Sequence, residues 1–165
     1  MAENSIVLGM ADLTVIRAAT PVKLITLGLG SCIGLVVYDA TAKIAGMAHI
    51  MLPSSRGLTG AEKVGKFADT AVPAIIEQML KLGAVKSRIK AKIAGGAQMF
   101  SLPGMSADFL TVGAKNVSET KQRLARMGIF IAAQDTGGNK GRTIEFSTAN
   151  WMLKVKTLGK GTSEI

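Results

Sequence analysis

Four short apolar segments, residues 13–18, 23–29, 33–38 and 44–52, crowd into the first third of the chain and are separated by turn-forming residues. Several are rich in Val and Ile, and each has the length of a strand, so this part of the chain is β-rich. Pro53, Ser54 and Ser55 then break the pattern. From 61 to 82 the apolar positions Val64, Ala68, Ala71, Ile75, Met79 and Leu82 recur at helical spacing, and Gly83 follows as a left-handed cap. Pro73 lies inside this helix without an N–H to donate, which predicts a kink or a new start there. Residues 86–93 alternate, with Lys86, Arg88, Lys90 and Lys92 on one face and Ile89, Ala91 and Ile93 on the other, as in a half-buried strand.

A second helix is expected over 113–127, with Val117, Thr120, Leu124 and Met127 on one stripe and Gly128 ending it. The chain then returns to strands at 129–133, 142–147 and 151–157, with Gly137, Gly138, Asn139 and Gly141 in the first connection. Runs of strands with few helices between them favour an α+β fold: mixed or antiparallel, sandwich-like β-sheets with two main helices packed on the sheet. No repeat, low-complexity tract or linker interrupts the 165 residues, so a single domain over 1–165 is expected, long enough to bury a core without staples.

Composition removes several function classes. Cys32 is the one cysteine, so a disulfide framework is excluded and a reducing, cytoplasmic setting fits. The first 20 residues lack a basic opening followed by an apolar core, and no run reaches the ~18 apolar residues of a membrane span, so neither a signal peptide nor membrane insertion is expected. The net charge of +9 points to an acidic partner, yet only 4% of residues are aromatic and no nucleic-acid-binding signature accompanies the basic residues, so nucleic acid is not the expected partner.

The glycines of 27–34 invite comparison with a dinucleotide fingerprint, but the third falls one position late and an apolar β-branched run follows in place of an amphipathic helix. Their use is read differently: a sharp turn that exposes the Cys32 side chain and aims amide N–H groups at one point. A lone cysteine is more often a small buried hydrophobe, and His49, the one histidine, would alone more often be a satisfied ring. Their pairing raises both, because thiolate chemistry needs an imidazole to take a proton and return it to the leaving group. Cys32 and His49 are too few for a structural zinc, which takes about four ligands, so no metal is expected. Ser-His-Asp hydrolysis has no G-x-S-x-G elbow to place its serine.

The run Thr26-Leu27-Gly28-Leu29-Gly30-Ser31-Cys32, followed by Gly46-Met47-Ala48-His49-Ile50-Met51-Leu52-Pro53, resembles the signature of the CheD chemoreceptor glutamine deamidases. Gly95-Gly96-Ala97-Gln98-Met99-Phe100, Val112-Gly113-Ala114-Lys115-Asn116-Val117 and Thr136-Gly137-Gly138 with Gly141, Arg142 and Phe146 follow that family in order, so the likeness covers roughly residues 24–158. Carried over position by position, the resemblance implies Cys32 as nucleophile, His49 as acid/base and Thr26 as a third member that orients the imidazole through its hydroxyl or its carbonyl. Backbone N–H groups near Gly30 and Ser31 would hold the oxyanion, and no cofactor is required. Met99 and Phe100 are candidates for the substrate groove, although such a pair is more often core.

The resemblance further implies methyl-accepting chemoreceptors as protein substrates and a CheC-like phosphatase as partner. The basic stripe of 86–92 is one candidate contact for an acidic receptor helix, although lysines there more often protect a sheet edge. Two other readings stay open: an adaptor without turnover, and hydrolysis of methyl esters by the same thiol, which is the same acyl-transfer chemistry.

Overall fold

The computed structural model describes residues 4–56, 62–99 and 111–165. In it, strands β1 (Asn4–Leu8), β3 (Val22–Leu29), β8 (Arg142–Ser147), β9 (Met152–Thr157) and β10 (Gly161–Glu164) form one five-stranded sheet in the order β1-β3-β8-β9-β10. A second sheet has the order β2-β5-β4-β6-β7, from β2 (Leu13–Arg17), β5 (Ile44–Ile50), β4 (Ile33–Asp39), β6 (Lys90–Gly95) and β7 (Phe130–Thr136). Each is mixed, with β1–β3 and β6–β7 parallel and the remaining pairs antiparallel. Helices α1 (Ala68–Lys81) and α2 (Val112–Arg126) complete the α+β fold.

The layers follow from where the apolar residues point. Ile33, Leu35 and Val37 of β4 and Ala48 and Ile50 of β5 pack with Ala71, Ile75 and Met79 of α1 and Leu124 of α2. The opposite face of the same sheet, through Val36, Met47 and Ala94, packs with Leu24, Leu29, Ile144, Phe146 and Val155 of the first sheet. The second sheet is therefore covered on both faces, which is why β4 and β5 are buried at every residue and do not alternate. β8, with one face toward solvent, does alternate. Each fully buried Leu, Ile or Phe on these faces contributes about 1.5–3 kcal/mol.

The expected helices and central strands are present, with four differences. The edge strands β1 and β10 escape the apolar-segment reading, and β10 is exposed throughout. α1 begins at Ala68, since Val64 belongs to a 3-10 turn (Val64–Lys66) and is exposed, while residue 61 lies outside the described residues. Pro73 starts no new helix: α1 runs through it, with its ring on the exposed face.

The fourth difference concerns the basic stripe. Lys86 and Arg88 form a 3-10 turn ahead of β6, and Arg88 binds the buried Asp39 carboxylate at 3.1 Å. Lys92 is buried against the first sheet, where its ammonium donates to the carbonyls of Trp151 (2.7 Å) and Ile165 (2.8 Å). β6 is an interior strand between β4 and β7, so these residues are neither one solvated stripe nor the guard of an edge. Among the described residues, no helix is long and apolar enough to cross a membrane.

Candidate active site

The imidazole is placed by strand register. His49 lies opposite Gly34 in the β4–β5 pairing, and its side chain shares the inter-sheet face with Ala45 and Met47. Gly34 leaves room there for the facing sheet, since a Cβ would come within 2.3 Å of Ile144 Cδ1 and force that buried side chain to shift. From the facing sheet, Thr26 of β3 is fully buried and its Oγ1 is 2.7 Å from His49 Nδ1. The same hydroxyl lies 2.8 Å from the carbonyl of Leu8, to which it donates. A hydroxyl has one proton, so with that proton on Leu8 O its oxygen accepts from His49 Nδ1–H. That fixes the tautomer and leaves Nε2 as the ring's lone-pair nitrogen. Nε2 is buried and has no hydrogen-bond partner within the protein among the described residues.

Burial holds the His49 pKa below its ordinary value near 6.5, partly offset by the Asp12 carboxylate. The ring is therefore neutral at neutral pH. Asp12 is fixed beside it: His49 N–H donates to Asp12 O at 3.0 Å, and the Asp12 side chain accepts from Gly9 N–H (2.8 Å) and from Lys63 (2.7 Å).

The thiol packs against the same inter-sheet core, but the described walls of the cavity it lines do not include His49 or Thr26. Cys32 is half-buried in the turn between β3 and β4, packed against the inter-sheet core. It immediately precedes β4, and among the described residues no hydrogen bond joins its sulfur to His49 Nε2. Burial raises its pKa above the ordinary thiol value. With Ser31 and Met99 it lines a cavity of about 500 Å³, whose other described walls include Met51, Leu52 and Gln98. Gly30 lies against Met99, so Gly30, Ser31, Cys32 and Met99 come together, whereas Phe100 lies outside the described residues.

Three successive carbonyls of this turn are tied down. Gly30 O accepts Ala97 N–H and Cys32 O accepts Gly96 N–H, each at 2.9 Å, and Ser31 O accepts Asn116 Nδ2–H at 2.9 Å. Gly95, at φ 110°, allows the approach, since a Cβ would sit 2.2 Å from Cys32 O. Among the described residues, no backbone carbonyl takes the N–H of Ser31 or Cys32. Asn116 was not singled out from the sequence, although an amide beside an apolar helical stripe was the available signal. No cluster of three or more His, Cys, Asp or Glu that could hold a metal occurs among the described residues.

Residues 51–157 match the family model described as CheD chemotactic sensory transduction. The chain belongs to the CheD family. It is 48% identical over 165 residues, covering both chains completely, to the probable chemoreceptor glutamine deamidase CheD of Clostridium novyi (strain NT). Against the protein of that name from Caldanaerobacter subterraneus subsp. tengcongensis it is 50% identical over 157 residues, 95% of each chain, and against that from Geobacillus kaustophilus 43% over 163 residues, 98% of each. The family match begins after Thr26, Cys32 and His49, while the full-length alignment with the Clostridium novyi relative spans all three.

Proposed function

We propose that this CheD-family chain is a cysteine-dependent deamidase of chemoreceptor glutamines, with residues 1–165 as one deamidase domain. The observation that carries the reading is the hydrogen-bond relay Leu8–Thr26–His49, which leaves Nε2 free to accept a proton in the inter-sheet core against which Cys32 packs. The relatives' name, probable chemoreceptor glutamine deamidase, supports the substrate class.

Burial favours the uncharged form of both groups, so the resting pair is thiol and neutral imidazole. As the sulfur attacks the side-chain carbonyl carbon of glutamine, its proton passes to His49 Nε2 and a C–S bond forms. The carbonyl oxygen takes the negative charge and is met by the N–H groups of Ser31 and Cys32, at the turn that Gly30 opens. When the tetrahedral adduct collapses, the C–N bond breaks and His49 gives the proton to the departing ammonia, leaving a thioester. Water then donates a proton to His49 as its oxygen attacks the acyl carbon; the C–S bond breaks, Cys32 regains its proton and glutamate is released. Thr26 keeps Nε2 facing the chemistry through both halves. Met99 and the Met51–Leu52 wall flank the aliphatic stem of the substrate side chain.

The reaction takes place in the cytoplasm, where chemoreceptors present their helical signalling regions, and a CheC-like phosphatase is the second protein partner. The competing reading, an adaptor without turnover, draws support from the upward push on the Cys32 pKa, which works against thiolate formation. Incubation with receptor cytoplasmic fragments, followed by peptide mass spectrometry, decides between the two. The wild type converts glutamine to glutamate, and Cys32→Ala and His49→Ala lose at least about 10²-fold in rate, the scale of a missing acid/base or nucleophile. Equal conversion by Cys32→Ala, or binding with no conversion by the wild type, defeats the deamidase. A methyl-esterified fragment in the same assay reports ester hydrolysis, with methanol leaving in place of ammonia.

A further inference from the structure

Asn116 is the one side chain seen to hold the main chain of the nucleophile turn among the described residues. It projects from the first turns of α2, is fully buried, and donates from Nδ2 to two main-chain carbonyls, Ser31 O and Met51 O, both at 2.9 Å. A primary amide nitrogen carries two protons, one for each carbonyl, and the amide oxygen could serve neither. The orientation of the amide group is therefore set by its partners. α2 can bring Asn116 this close because Gly113 lies where a Cβ would be 2.5 Å from Ala97 O.

The geometry of the peptide unit gives these bonds a consequence for chemistry. In a trans peptide the C=O and N–H of one plane point in opposite directions. Ser31 O and Cys32 N–H belong to one plane, so the bond from Asn116 sets the direction of the Cys32 N–H. Gly30 O and Ser31 N–H belong to the preceding plane, which Ala97 N–H holds through the main chain. One of the two oxyanion donors is thus aimed by backbone and the other by a side chain that can be replaced. The second bond, to Met51 O, ties the same turn to the Met51–Leu52 wall of the cavity.

We infer that Asn116 is a positioning residue for the deamidation, aiming the Cys32 N–H at the acyl oxygen while tying the turn to the Met51–Leu52 wall of the substrate cavity. The inference rests on Cys32 being the nucleophile. A residue that only held the fold together would, when replaced, lower every property of the site at once. One that aims an oxyanion donor affects acyl transfer and spares the intrinsic reactivity of the thiol.

The test uses the full chain with Asn116→Ala and Asn116→Leu, which removes both donors without adding a charge and keeps most of the side-chain volume. Two rates are measured: turnover of a receptor fragment, resolved into kcat and KM, and alkylation of Cys32 by iodoacetamide, which displaces iodide at a saturated carbon and forms no oxyanion. The expected result is a fall in kcat of about 10- to 100-fold, approaching the cost of one lost oxyanion donor, with KM and the alkylation rate close to wild type. Unchanged kcat, alkylation falling in step with kcat, or loss of the native fold in both variants would each overturn the assignment. Turnover that is lost in Cys32→Ala but retained in Asn116→Ala overturns this inference alone. A wild type without turnover overturns the nucleophile reading together with it.

Discussion

His49 sits on a strand paired on both sides, while Cys32 sits in a turn just outside one, and the two halves of the site are held by different means. The imidazole half consists of β3 and β5 side chains facing each other across the inter-sheet core, where the packing of one sheet on the other brings Thr26 and His49 to 2.7 Å. The thiol half has no strand partner at Gly30–Cys32 and is held by its carbonyls, through Gly96, Ala97 and Asn116. The first arrangement suits a proton acceptor whose tautomer must not change. The second leaves amide N–H groups and a half-buried sulfur at a cavity wall, where a substrate carbonyl has to arrive.

Replacing Thr26 breaks the contrast most sharply, because it attacks the imidazole half alone. Thr26→Val removes both the acceptor for Nδ1–H and the donor to Leu8 O. Deamidation is expected to fall about 10²-fold or more, within the range of general-base catalysis, and stability by about 1–3 kcal/mol for the buried groups left unpaired. Thr26→Ser keeps the hydroxyl and is expected to retain most of the activity, whereas a residue acting through its carbonyl would tolerate Val. Steady-state rates and urea midpoints of the two variants check this.

A smaller effect comes from pH. Because the folded protein holds the His49 pKa below 6.5, the unfolded chain binds a proton first as the medium is acidified. The stability contributed by neutral His49 is therefore complete above about pH 6.5 and is lost as pH falls through the lower, folded value. The acid limb of kcat/KM should likewise lie below pH 6.5. Asp12→Asn takes away the carboxylate that offsets burial, and should move that limb to still lower pH with little change in stability, since Asp12 and Lys63 are exposed. A limb that stays fixed or moves to higher pH would mean that the Asp12 charge does not reach the ring.

The same contrast explains what could be read from the residues alone. Strands β2 to β5 and both helices were legible because apolar segments and turn residues mark them locally. Cys32 and His49 stood out as the one thiol and the one imidazole, and the glycines around the turn signalled an unusual backbone. The choice between the hydroxyl and the carbonyl of Thr26 depended on the packing of one sheet on the other, between residues 23 apart in sequence, which no local pattern encodes. Lys92 misled for a related reason. Alternation places it opposite Ile93, which reads as solvent when one face is buried, but this sheet is buried on both, and the carbonyls that accept its ammonium lie 59 and 73 residues away. Asn116 falls within one of the blocks that resemble the family, but its role was not legible there, since its partners Ser31 and Met51 are 85 and 65 residues distant.

Because the chain has a single histidine, the protonation of its ring can be observed without resonance assignment. Nitrogen-15 NMR of the imidazole at neutral pH measures the state on which the chemistry depends. A neutral ring with the proton on Nδ1, a bare Nε2 and a titration midpoint below 6.5 is the predicted result. A proton resting on Nε2, or a ring still charged at neutral pH, would contradict it, because His49 could then not receive the proton of Cys32.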